Sequence, residues 1–246
     1  MMDDASVLSL EEMSLNAWPS LQTQYFQGSL LRFAEGYTKR INSVNPLYFR
    51  GNIPDLIDYS EEQYEKRSLP VIFKILDLPK YGPLDQELGK RSYGVLDPSG
   101  VMIANLKDFN YPVHPQVVLE SDFSLPWIEG FIHQNHLDKK RLTVPKVLEN
   151  IHLEKIVASL VVQGEIMGFG FAALENNQAG FYDILISQDH RGRGFGRMIM
   201  ESLLCTAVKR RVEKGYLQVM DNNLPALKLY ETLGFKPGYK YWYRIK

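Results

Sequence analysis

The chain is predicted to fold as an α/β protein, a mixed twisted sheet flanked by helices, and three observations predict it. The apolar strand end Ile184–Ser187 runs through a short polar turn into a glycine-rich loop, Arg191-Gly-Arg-Gly-Phe-Gly196, and then into a long amphipathic helix. A second apolar strand, Tyr216–Met220, follows that helix, so the two strands are expected to lie parallel in a right-handed β-α-β unit. Upstream, Ile156–Val162, Ile166–Leu174 and Gly180–Ser187 are short apolar runs separated by turn residues, the pattern of an antiparallel meander.

The elements follow in order. A helix over Leu8–Trp18 should turn Glu11, Glu12 and Asn16 to water and pack Leu10, Met13, Leu15 and Trp18, with Pro19 ending it. Gly28–Phe33 and Tyr37–Val44 read as strands of a hairpin turned at Ala34-Glu35-Gly36, and Asn45-Pro46 closes the second strand. Ser60-Glu-Glu-Gln63 carries a helix-start signature, with acidic residues in the first turn. Val71–Ile75 reads as a strand, Pro83–Leu88 as a short helix, and Ser92–Leu106 as a hairpin turned by Asp97-Pro-Ser-Gly100. Lys107–Gln116 holds Asn110, Pro112 and Pro115 with little periodicity, and a domain boundary is expected there. Trp127–Asn135 and Lys146–Ile151 read as helices.

In the long helix, Ile199, Met200, Leu203, Leu204, Ala207, Val208 and Val212 form one apolar stripe. Lys209, Arg210, Arg211 and Lys214 crowd its C-terminal end, where cations suit the dipole, and Gly215 is expected to cap it. After Asn222-Asn223 come a helix through Leu233 and a last aromatic strand, Tyr239–Arg244. Residues 60–96 and 196–243 share the order helix, strand, helix, ending in Arg91-Ser-Tyr-Gly94 and Leu233-Gly-Phe235. That order suggests a degenerate internal duplication whose first copy lacks the glycine loop.

Composition narrows the class of protein. With 246 residues, 45% hydrophobic and 23% charged, the chain can bury one large core or two smaller ones. A net charge of -1 gives no general case for nucleic acid or a membrane surface. The single cysteine, Cys205, excludes an intrachain disulfide and a cysteine-based zinc site, and reads as a small buried apolar group. His133 and His136 lack the further ligands a metal would need, so no metal is expected. His190 reads as solvent-facing, and Trp18, Trp127 and Trp242 as core or interface. No basic-then-apolar leader opens the chain and no apolar run is long enough to cross a bilayer, so a cytoplasmic protein is expected.

A strand, glycine loop and helix N-terminus in that order form an anion site, because glycines let backbone N–H groups approach and the helix dipole adds positive charge. Arg191, Arg193 and Arg197 add more. A Walker loop would need Gly-x-x-x-x-Gly-Lys-Ser/Thr, which is absent. A dinucleotide fingerprint would need a third glycine where Arg197 or Ile199 stands. What fits is Arg191-x-x-Gly194-x-Gly196, with Asn223-x-x-Ala226-x-x-Leu229-Tyr230-x-x-x-Gly234-Phe235 downstream.

These two motifs resemble those of the GNAT N-acetyltransferases, whose acyl-CoA loop is Arg/Gln-x-x-Gly-x-Gly/Ala. The resemblance covers residues 115–246. Residues 1–106, through Gly28-Ser-Leu-Leu-Arg-Phe-x-x-Gly36-Tyr-Thr-Lys-Arg-Ile-Asn-Ser43, resemble the N-terminal half of tandem GNAT proteins. It implies a degenerate N-terminal half and a catalytic half at 115–246, moving an acetyl group from acetyl-CoA to an amine acceptor without a metal. It further implies that backbone groups of Ile184, Leu185 and Ile186 hold the pantetheine arm. The loop of Arg191, Gly192, Arg193, Gly194, Phe195, Gly196 and Arg197 would hold the pyrophosphate. Tyr230 would be the general acid for the departing thiolate, and Asn223 would orient cofactor or substrate. The proton acceptor stays open among Asp183, which strand alternation points away from the cleft, Glu165, Glu175 and water. No nucleic acid or membrane partner is expected, and the chain is read as a monomer or homodimer. Two rivals are weighed: a transferase on the same tandem fold using aminoacyl-tRNA, and a non-catalytic acyl-CoA-binding module.

Overall fold

The computed structural model describes residues 2–107 and 109–246. Met1 and Asp108 lie outside them, the latter within the expected boundary stretch. In chain order the elements are α1 (Asp4–Ala17), β1 (Gln22–Phe26), β2 (Ser29–Phe33), β3 (Val44–Asn45), α2 (Ile53–Glu65), β4 (Ile72–Leu76), α3 (Gly82–Lys90), β5 (Gly94–Asn105), β6 (Val117–Glu120), α4 (Leu125–Gln134), α5 (Thr143–Glu149), β7 (Glu154–Val162), β8 (Glu165–Glu175), β9 (Gln178–Ile186), α6 (Phe195–Lys209), β10 (Lys214–Met220), α7 (Leu224–Thr232) and β11 (Lys236–Ile245). Two compact units form. The first is Met1–Val101 with Val219–Asn223 and Gly238–Lys246; the second is Met102–Gln218 with Leu224–Pro237.

In the first unit the strand order is β1-β2-β3-β4-β11, followed by the first half of β5. β1 and β2 form a hairpin whose two-residue loop, Gln27-Gly28, has φ of 47° and 78°, the type I′ geometry that matches strand twist. The hairpin expected around Ala34-Glu35-Gly36 is therefore displaced by one strand. Asn42 Oδ1 takes the N–H groups of Ala34 and Gly36 at 2.8 and 2.9 Å, so those amides do not enter a ladder. The segment Tyr37–Val44 instead makes a 3-10 turn, Lys39–Ile41, and reaches only the short β3. Ser60 does not start α2. Asn52 caps it, and Ser60 lies buried mid-helix with its hydroxyl on the Leu56 carbonyl.

The expected hairpin at Asp97–Gly100 is likewise a kink inside one continuous strand, β5. Asp97 takes a φ of 48°, while the Pro98 carbonyl still accepts from Asp221 N–H at 2.9 Å. The core of this unit holds an ion pair. Glu11, expected to face water, is 0% exposed. Its Oε2 meets Lys74 Nζ at 2.5 Å and its Oε1 accepts from the Tyr239 hydroxyl at 2.6 Å. Burial drives the Lys74 pKa down against the pull of Glu11.

In the second unit the order is the last part of β5, then β10-β9-β8-β7-β6. The meander β7-β8-β9 is antiparallel and β10 is parallel to β9, as the β-α-β pattern predicts. Strand β6, unpredicted, adds to the edge through Val117↔Leu160 to Glu120↔Val157. Trp127 stacks on Phe131 at 4.9 Å and donates its indole N–H to the Ala158 carbonyl at 3.0 Å. Gly215 is not a helix cap. It lies in β10, where a Cβ would stand 2.9 Å from Phe181, and Arg211 takes the left-handed position at the end of α6. Cys205 and His190 are half-buried, the imidazole of His190 stacking on Phe195.

The chain repeats a series, β2-β3-α2-β4-α3-β5 and β8-β9-α6-β10-α7-β11, with the first pair antiparallel and the strands around the first helix parallel. The helix ends repeat as well. Leu69 N–H bonds to the Tyr64 carbonyl as Val212 N–H bonds to Ala207, and Tyr93 N–H bonds to Leu88 as Phe235 N–H bonds to Tyr230. The residue before each donor, Ser68, Arg211, Ser92 or Gly234, has positive φ. These are Schellman closures at matching places.

Removing one partner of a buried pair leaves an uncompensated charge. Glu11→Gln or Lys74→Met is expected to cost about 3–5 kcal/mol in urea unfolding, and Glu11→Leu with Lys74→Met less than either alone. Single variants as stable as the parent would show that the pair carries no such strain.

Candidate functional site

The site is built where β8, β9 and α6 meet. Gly168 and Gly170 open the face of β8. A Cβ on Gly168 would lie 2.6 Å from Ile186 Cδ1 and 3.0 Å from Ile199 Cδ1, and one on Gly170 would lie 2.6 Å from Ile184 Cδ1 and 3.0 Å from Ile199 Cγ2. The missing side chains admit Ile184 and Ile186 from the strand end and Ile199 from the helix. Ile184 and Ile186 are thereby fixed by packing.

β9 carries a bulge at the same level. Its register with β8 passes from Phe171↔Tyr182 to Phe169↔Leu185, so Asp183 and Ile184 together oppose Gly170. Asp183 absorbs the extra residue with a φ of 51°. Pairing with β10 runs from Lys214↔Gln178 to Leu217↔Phe181, whereas β9 stays paired with β8 as far as Gly168↔Ile186. Among the described residues, the far end of β9 thus has one edge without a strand alongside.

The loop continues from there. Ser187 Oγ lies 2.9 Å from His190 Nδ1 across a short 3-10 turn, and Arg191 Nε donates back to the Ile186 carbonyl at 3.2 Å. Arg193 donates to the Asp189 carbonyl at 3.1 Å. Gly192 and Gly194 take φ of 76° and 81°, and nothing stands within 4 Å of where their Cβ atoms would be. Their conformation, not crowding, requires glycine. The Gly194 carbonyl accepts from Arg197 and Met198, starting α6. Among the described residues no carbonyl accepts the N–H groups of Gly192 through Gly196. These amides stand at the start of α6, where the helix dipole is positive, the backbone arrangement an anion site would require.

Gly196 faces both partners: its Cβ would lie 3.5 Å from Leu229 Cδ2 and 3.9 Å from Ile186 Cγ1. Tyr230 follows Leu229 on α7. Gly234, at φ 85°, closes the helix, Phe235 N–H bonds to the Tyr230 carbonyl at 3.0 Å, and the Phe235 ring packs edge-on to Tyr230 at 6.2 Å. The spacing Tyr-x-x-x-Gly-Phe is thus a helix closure that sets the tyrosine ring. Tyr230 is 8% exposed, and its pKa is pushed up to about 12, first by burial and then by the negative charge of Asp183.

The structure gathers Ile184–Ile186, the loop from Arg191 to Arg197, and Tyr230 in the second unit. Asn223 lies exposed in the Val219–Asn223 segment of the first, its N–H on the Met220 carbonyl at 3.0 Å. Asp183, turned away by a simple alternation argument, interacts electrostatically with Tyr230 because the bulge breaks that alternation. An isolated glycine in a strand, here Gly170, was the available signal. Glu201 meets Arg197 from one helical turn away, a contact that the motif spacing does not signal. Among the described residues no group of three or more metal-ligating side chains occurs, and no helix is long and apolar enough to cross a membrane.

Residues 4–244 match the family described as "Probable histone acetyltransferase Rv0428c C-terminal". The chain is 29% identical, over the full length of both, to the uncharacterized N-acetyltransferase YobR of Bacillus subtilis strain 168. In fold it is similar to a GCN5-related N-acetyltransferase from Kribbella flavida, with a TM-score of 0.72 at 11% identity, covering 100% of this chain and 96% of that one. It is also similar to a tandem GNAT protein from the clavulanic acid biosynthesis pathway, with a TM-score of 0.58 at 13% identity, covering 78% and 69%.

If the Asp183 charge helps hold Tyr230 protonated, Asp183→Asn must lower the Tyr230 pKa, since a negative neighbour disfavours phenolate. Carbon-13 NMR of ring-labelled tyrosine would read the shift directly, and an unchanged or higher value would contradict it.

Proposed function

Because the chain belongs to the Rv0428c C-terminal acetyltransferase family, and so to the GNAT acyltransferases, we propose that it moves an acetyl group from acetyl-CoA to a primary amine by direct attack. The observation that carries this reading is the cradle of unengaged amides at the end of a bulged strand, with a buried, protonated tyrosine on the neighbouring helix. Acetyl-CoA supplies the acetyl group as a thioester and leaves as the thiol.

The chain's own residues do the rest. Amides of Gly192–Gly196, with Arg191 and Arg193, meet the pyrophosphate, where fixed N–H dipoles need no reorganisation. The open backbone edge at Ile184–Ile186 holds the pantetheine arm as a further strand would. The Tyr230 hydroxyl keeps a proton for the departing sulfur. With its pKa near 12, the phenol is protonated throughout the neutral range, so the acid needs no adjustment before each turnover. The exposed Asn223, at the entry to α7, orients cofactor or acceptor. We place the chemistry in the C-terminal portion, 115–246. The acceptor is an amine, with no role for nucleic acid, membrane or metal.

Thiol release with acetyl-CoA over a panel of polyamines, amino acids, peptide N-termini and lysine side chains tests the activity. Tyr230→Phe is expected to reduce kcat about 100-fold while CoA affinity by calorimetry stays within about twofold. Any fall in kcat between pH 7 and 10 should persist in that variant, because the buried phenol does not titrate there. CoA binding without turnover on any amine would instead support a binding module.

A further inference from the structure

Arg197 stands in the first turn of α6, the unfavourable end of the dipole for a cation. Glu201, one turn on, offsets part of this, although Arg before Glu at i,i+4 is the weaker orientation. What the guanidinium gains is a span between helices. Nη1 donates to Glu201 Oε1 at 3.2 Å, and Nη2 donates to Thr232 Oγ1, in the last turn of α7, at 2.5 Å. The Thr232 hydroxyl in turn donates to the Leu229 carbonyl at 2.7 Å, which fixes its direction.

Glu201 is 8% exposed, and its other oxygen accepts from His114 Nε2 at 2.6 Å. His114 is anchored through its own backbone N–H, which donates to Ser202 Oγ at 3.0 Å. The carboxylate is thus held from both sides and neutralises the arginine. Each terminal nitrogen of Arg197 donates one hydrogen bond, which fixes the guanidinium plane, and both groups it binds lie within the second unit.

We infer that Arg197 is a positioning residue for Tyr230 and not a phosphate ligand. Braced by Glu201 and His114, it pins the last turn of α7 through Thr232. Tyr230 sits between the two residues this hydroxyl joins, Leu229 and Thr232, so the pin sets where its phenol lies. The phosphate charge is then met by Arg191, Arg193 and the loop amides. This inference rests on the acyl-transfer reading of the site.

Thr232→Val keeps side-chain size, leaves the Arg197 charge in place and removes the acceptor. It is expected to lower kcat about fivefold with CoA affinity within about twofold, and Thr232→Ser is expected to restore the rate. Arg197→Gln should show the same split, and combining it with Thr232→Val should add nothing further. In the free protein, hydrogen exchange measured by mass spectrometry should rise over α7 in both impaired variants and stay unchanged over the middle of α6. The inference is overturned if Arg197→Gln weakens CoA binding about tenfold at unchanged kcat, or if α7 exchange does not move. If the parent chain binds CoA but acetylates nothing, the acyl-transfer reading fails by itself, and the α7 exchange still decides whether Arg197 pins that helix.

Discussion

The approach of α6 to β8 across Gly168 and Gly170 is the constraint from which the candidate site follows. With no side chain on that face, the helix settles where Ile199 reaches the strand, and Ile184 and Ile186 fill the remaining space. The strand end and the helix start are then held close together, and the connection between them has little slack. A short loop that must reverse direction there uses left-handed backbone, which is why Gly192 and Gly194 are glycine although space around them is open.

The bulge at Asp183 supplies the second ingredient. By inserting a residue into β9 it re-aims the strand beyond it and brings a carboxylate into electrical contact with Tyr230. A phenol in an apolar setting already resists ionisation, and a nearby anion strengthens that resistance. The tyrosine's position is itself the outcome of a helix closure at Gly234 and Phe235. One short motif therefore specifies both a backbone turn and the placement of a buried tyrosine ring.

Much of this was legible in the sequence where local chemistry and fold agree. The 3.6-residue stripe of α6, the meander and the parallel β9–β10 pair all follow from periodicity and turn residues. Expectation and structure part where another residue of the helix or a distant partner decides. Ser60 looked like a cap, but Asn52 starts α2 eight positions of chain earlier, and the helix runs on through it. Asp97-Pro-Ser-Gly100 has turn chemistry, yet the Asp221 amide holds the segment in a ladder. Glu11 looked solvated because its partners, Lys74 and Tyr239, are remote in sequence. In the site, the cradle was readable because it is one contiguous stretch. The contacts of Asp183, His114 and Thr232 depend on a bulge and on packing between elements, which no spacing rule encodes.

The last strand has a consequence for how the molecule is made. β11 pairs with β4 from Tyr241↔Leu76 to Ile245↔Ile72, and Tyr239 completes the coordination of Glu11 in the interior of the first unit. A ribosome delivers residues in order, and domains whose strands are contiguous can close as they emerge. This one cannot. Its opening helix and hairpin are synthesised long before β11, and the sheet they belong to lacks an inner strand until Lys236–Ile245 have left the exit tunnel. During that interval the charged pair in its core has only part of its surroundings. Closure of the first unit therefore waits on β11, and the integrity of its beginning depends on a strand made long after it.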